Sequence, residues 1–158
     1  MRHTLLLLTL TVSLFGCDEL QFLSVQPEET IQRNKFIVRS YMEDIINNGN
    51  WNAWDKYFPK RVTFNGRRLD SDAFADMVGS FRVAYPDFRV TIDEQIAEGD
   101  KVMTRLTCHG THMGLDEGMP ATRREVTYSG IAIDRIRNGK IIDMWYTADV
   151  WSRIQQLQ

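Results

Sequence analysis

The chain has 158 residues, 43% of them hydrophobic and 25% charged. That is enough for one domain with its own core, and the balance excludes collagen-like and low-complexity classes. The formal net charge is −2 with no block of like charges, which argues against a nucleic-acid binder, whose contact face is usually basic.

The chain opens with "MRH" and an apolar run from Thr4 to Gly16. A bilayer takes roughly 20 apolar residues, so this run is too short to span one comfortably. It has the length of a secretory signal's apolar region. Leu14-Phe15-Gly16-Cys17 resembles the lipobox of bacterial lipoproteins. That resemblance implies a signal peptide over 1–16, a lipid on Cys17 and a tether over 17–28. A plain signal peptide and an uncleaved anchor are the alternatives. Acyl chains on the Cys and its amine give more than the two hydrophobic signals that stable anchoring needs. Asp18 resembles the residue that retains Gram-negative lipoproteins at the inner membrane. The expected location is therefore the bacterial cell envelope, on the periplasmic side of the inner membrane in a Gram-negative cell. With Cys17 lipidated, Cys108 is a lone thiol on an alternating strand, where a buried inert thiol is expected. A Cys17–Cys108 disulfide is the alternative if no lipid is added.

The spacing of Phe36, Ile37, Tyr41, Ile45 and Ile46 predicts a helix over Pro27–Asn47. Pro27 suits a helix start and Glu28 and Glu29 suit the positive end of its dipole. "NNGN" stops it. "WNAWDKYF" predicts a second short helix ended by Pro59, and "RVTFNG" a short strand and turn. Asp70 or Ser71 caps a third helix running to about Ala84. Beyond "YPDF" the period changes to two. Four strands follow, over 88–99, 100–113, 124–137 and 140–149, and "EGDK" and "RNGK" are tight turns between them. "VWSRIQQLQ" is a closing helix, with Asp149 as its cap. Helices followed by a meander predict an α+β fold, with the helices against one face of a curved antiparallel sheet.

The segments "YPDFRVTIDEQIAEGDKV", "GTHMGLDEGMPAT" and "VTYSGIAIDRIRNGKIIDMW", with the closing Asp149 and "IQQLQ", resemble the SnoaL-like polyketide cyclases. These lie within the cone-shaped fold of nuclear transport factor 2 and ketosteroid isomerase, and the resemblance covers 29–158. It implies a deep apolar pocket between the helices and the concave sheet face. It also implies a carboxylate acting as acid/base on a carbonyl or ester compound, with neither metal nor organic cofactor. Taking a proton from carbon beside a carbonyl needs a desolvated base of raised pKa, which a dry pocket supplies.

Strand parity sorts the candidates. His112 falls on the apolar face of its strand and His109 on the other. Val126, Tyr128, Gly130, Ala132, Asp134 and Ile136 share one face. Ala132 stands where cyclases often carry the acid/base Asp, and alanine cannot transfer a proton. Asp134, two residues along on the same face, is the remaining acid, although its place near the hairpin end predicts exposure to water. The catalytic candidates are therefore Asp134 and His112. Tyr41, Trp54, Asn65, Tyr128 and Trp145 are candidate ligand-binding residues, Asp143 a surface charge. The alternative to catalysis is a membrane-anchored lipoprotein that binds a small apolar ligand or a protein partner, and the wider fold also implies a homodimer through the exposed sheet face. No phosphate loop, Ser-His-Asp order or metal-ligand spacing occurs.

Overall fold

Pro27 begins α1 (Pro27–Tyr41) in the computed structural model, which describes residues 27–158. The expected signal peptide, Cys17 and most of the expected tether lie outside the described residues. Val38, Tyr41, Met42 and Ile45 recur at three and four residues and are all buried, so α1 turns one apolar stripe to the core. Directly after Tyr41 the helix widens, over Met42–Asn47, to a turn bonded five residues back, with Asn48 N–H donating to Glu43 O at 3.0 Å. Such wide turns are uncommon and frequent at functional sites.

Trp54–Tyr57 forms the short α2, β1 (Val62–Phe64) and β2 (Arg67–Leu69) make a small hairpin, and α3 covers Ser71–Ala84. Asp70 caps α3, its side chain accepting from Ala73 N–H at 3.2 Å. Four long strands follow: β3 (Arg89–Glu98), β4 (Lys101–Thr111), β5 (Glu125–Arg137) and β6 (Lys140–Ala148). Asn138 and Gly139 both have positive φ, 51° and 74°, as the two-residue turn between β5 and β6 requires. α4 (Val150–Leu157) closes the chain on β5, capped by Asp149, which accepts from Ser152 N–H at 2.9 Å.

The six strands form one sheet in the order β2-β1-β6-β5-β4-β3. The expected α+β architecture is present. One pairing is parallel, β1 beside β6, which the meander pattern does not contain. Register shifts at Ile92/Glu94 and Arg135/Ile136 mark bulges, which bend strands and increase twist. In β5 the even-numbered residues from Val126 to Ile136 are buried, and the intervening ones mostly exposed, as parity predicts. The helices cover that buried, concave face. β6 pairs with β5 only from Gly130 onward. Upstream of it, the Gln156 side chain of α4 substitutes for a strand, accepting from Thr127 N–H at 2.9 Å and donating to Thr127 O at 2.8 Å. That fixes α4 over the open end of the concave face.

Candidate functional site

Between α1, α3, α4 and the concave face lies a cavity of about 380 Å³. Its wall is mainly aromatic and aliphatic, including Phe64, Phe74, Phe81, Leu106, Ala132 and Met144. The polar groups that interrupt this wall are Tyr41, Tyr128, Tyr146, Glu117 and Arg153. A mostly apolar cleft with a few placed polar groups is the usual form of a small-molecule site.

Asp134 sits behind this wall. It is 0% exposed, so its place near the hairpin does not bring it into water, contrary to the expectation from sequence. In the register it stands between Val102 of β4 and Met144 of β6, and α1 covers it. Tyr41 Oη donates to its two carboxylate oxygens at 3.4 and 3.5 Å. Burial pushes the Asp134 pKa up to about 8, and the Tyr41 hydrogen bond only partly counters this. Burial, then the adjacent carboxylate, hold the Tyr41 hydroxyl well above its ordinary value. Tyr41 also lines the cavity, so it connects the buried carboxyl to the ligand space. Ala132 lies in the cavity wall itself, 4% exposed, opposite Thr104 and Tyr146. The cavity wall at this point of β5 thus carries a methyl group, and the carboxyl lies one pleat further along the strand.

Tyr128 and Trp145 border the cavity. Trp145 is 40% exposed, with the Arg135 guanidinium 5.7 Å above its ring. Trp54 and Asn65 are not among the lining residues. Trp54 packs on Phe58 and Phe74, with centroids 4.4 and 5.6 Å away, and donates to Pro59 O at 3.0 Å. Asn65 is exposed at the β1–β2 turn, and its amide bridges to Tyr146 N and O at 2.8 and 2.9 Å. It therefore joins β1 to β6.

His112 is fully buried but does not line the cavity. It stacks on Tyr85 at 5.3 Å, and its Nδ1 accepts from Thr122 N–H at 3.3 Å. Its backbone bonds Arg123 N–H and Arg124 O at 2.8 and 2.9 Å, so it pins the base of the loop between β4 and β5. His109 is exposed, with Thr127 Oγ1 3.1 Å from its Nδ1. Cys108 is buried and free, and burial pushes its thiol pKa up, as an inert thiol requires. Asp143 stands opposite Arg135, but its Oδ1 is buried without a partner, and among the described residues it makes no ion pair. No group of three or more His, Cys, Asp or Glu placed to hold a metal occurs among the described residues.

Three polar cavity residues, Glu117, Tyr146 and Arg153, escape sequence reasoning. Tyr146 lies beside Cys108, Oη to Sγ 3.4 Å. Arg153 is 5% exposed and holds Asp116 at 3.3 Å. Its signal is present in the chain: residues 153, 154 and 157 share the core-facing stripe of α4, and one of them is Arg.

The helices packed into a bent sheet, with a lined cavity between, define the cone-shaped class to which nuclear transport factor 2 belongs. The model of the SnoaL-like polyketide cyclases matches residues 36–157, and the chain belongs to that family. A protein proposed to be a polyketide cyclase from Acidithiobacillus ferrooxidans is similar, with TM-score 0.71 and 26% identity over 79% of this chain and 94% of that one. IdmH, a candidate polyketide cyclase from Streptomyces antibioticus, has TM-score 0.71 and 20% identity over 78% and 97%. AclR, a candidate hydroxylase from Streptomyces galilaeus, has TM-score 0.69 and 18% identity over 80% and 96%. No protein of curated function matches the chain.

Proposed function

We propose that the domain binds an apolar carbonyl or ester compound in the cavity and acts on it by acid/base chemistry without a cofactor. The observation that carries this reading is the buried Asp134 carboxyl, raised to about 8 and joined to the cavity through Tyr41. A base works best with a pKa near the operating pH. Ionised Asp134 accepts the Tyr41 proton as Tyr41 Oη removes a proton from the carbon beside the ligand's carbonyl. The enolate carbon then attacks a second carbonyl, and the alkoxide formed takes a proton back from Tyr41, which recovers its own from Asp134. Apolar walls exclude water that would otherwise quench the enolate.

The test is deuterium exchange into the methyl group of bound 2-acetylnaphthalene in D2O, followed by NMR. Exchange above the buffer rate is expected, falling at least about 100-fold in Asp134→Asn, in line with general acid–base contributions. Binding without exchange favours the second reading, a non-catalytic receptor for an apolar ligand. Ala132 in the cavity wall supports that second reading, because the position next to the ligand carries no acid.

Lipid on Cys17 is proposed to hold the domain at the cell envelope.

A further inference from the structure

The reading of the cavity as a site for an apolar compound leaves Arg153 without a task. Burying a guanidinium is costly unless it is paired and hydrogen-bonded. Part of that requirement is met. Arg153 Nη2 lies 3.3 Å from Asp116 Oδ2 and 4.0 Å from Glu117 Oε1, and its Cζ is 5.4 to 5.8 Å from the ring centroids of Phe81, Tyr85 and Tyr128. Asp116 is itself held, accepting from Tyr85 Oη at 2.7 Å. The guanidinium is therefore fixed in place on three sides. Its Nε is buried and has no hydrogen-bond partner, and Arg153 lines the cavity together with Phe81 and Tyr128. A buried donor left unmade costs free energy that a ligand's acceptor restores.

Resting on the proposed binding of an apolar carbonyl compound, we infer that Arg153 is a specificity-determining residue whose Nε–H takes a neutral acceptor oxygen of the ligand. Charge decides between a neutral and an anionic group. Two carboxylates already face the one guanidinium, so a third negative charge is disfavoured, whereas a ketone or ester oxygen brings none. Arg153 and Tyr41 line the same cavity, the one beside Tyr128 and the other beside Asp134 on one face of β5. The ligand class is then an apolar molecule carrying a neutral ketone or ester oxygen.

The experiment compares binding of two probes of one shape, 2-acetylnaphthalene and 2-isopropylnaphthalene, to the full chain by calorimetry. Wild type is expected to prefer the ketone by about tenfold or more, as for a hydrogen bond to a charged group. Arg153→Lys keeps the charge opposite Asp116 but has no Nε–H, and is expected to lose that preference while still binding the hydrocarbon. Arg153→Met with Asp116→Asn removes the charge pair and the donor together, and should give the same result if the Lys variant folds poorly. Equal binding of both probes by wild type, an unchanged preference in either folded variant, or tighter binding of 2-naphthoate than of the ketone overturns the role of Arg153 alone. Failure of wild type to bind either probe overturns the cavity reading and this inference with it.

Discussion

Asp134 and Ala132 are two residues apart on one strand face, and the difference between them is depth. Ala132 lines the cavity, while Asp134 meets only protein and is joined to the cavity through the Tyr41 hydroxyl. Sequence parity places both on the concave face correctly. What parity cannot supply is how far α1 descends over the sheet, so an acid near a hairpin reads as solvated when Tyr41 in fact covers it. A carboxyl raised to about 8 in the folded chain, against 3.8 for an unperturbed Asp, gives a sign to the pH dependence of stability. The folded state holds this proton between those values and the unfolded state does not, so stability from this group is full below about pH 3.8 and is lost as pH rises through about 8. Asp134→Asn should remove that loss. Chemical denaturation of both proteins from pH 5 to 9 checks it: the variant's stability relative to wild type should increase with pH and level off above about 8.

At the scale of elements, the loop between β4 and β5 closes the Arg153 end of the cavity, and it is anchored by close backbone contact. Met113 and Gly114 N–H both donate to Ala84 O at the end of α3, at 2.8 and 3.2 Å. A Cβ on Gly114 would lie 2.5 Å from Val83 O. Gly114→Ala should therefore cost about 1–3 kcal/mol, the usual range for forced overpacking, read as a lower midpoint in thermal unfolding. Helix and strand periodicity made most elements legible: α3 with its Asp70 cap, the four long strands, the Asn138-Gly139 turn and the Asp149 cap of α4 all stand where the pattern puts them. The wide turn after Tyr41 and the parallel β1–β6 pairing were not legible. Neither changes the local apolar period, and the β1–β6 pairing joins segments far apart in the chain. Trp54 and Asn65 illustrate the same limit. Their types suit a ligand site, yet Trp54 is drawn into the aromatic cluster around Phe74 and Asn65 into tying β1 to β6.

For the whole molecule, the proposed lipid anchor would set where the cavity works. No helix among the described residues is long and apolar enough to cross a membrane, and the proposed attachment is the lipid on Cys17. Intact-mass spectrometry of the membrane-fraction protein should find an acylated chain beginning at Cys17. Cys17→Ala should leave the membrane fraction or retain its first 16 residues. The fold is shared by proteins proposed as cyclases and as a hydroxylase, so the reaction must be read from the side chains. Among the described residues, Asp134 is the carboxyl held above its ordinary value, and Tyr41 joins it to the cavity. The decisive measurement is the pH profile of deuterium exchange into 2-acetylnaphthalene with wild type and Asp134→Asn. The wild-type rate should rise to a plateau as pH passes about 8, while the variant stays near the buffer rate. A wild-type rate that tracks the buffer rate across that range, or a rise that survives in the variant, would contradict a base acting through Tyr41.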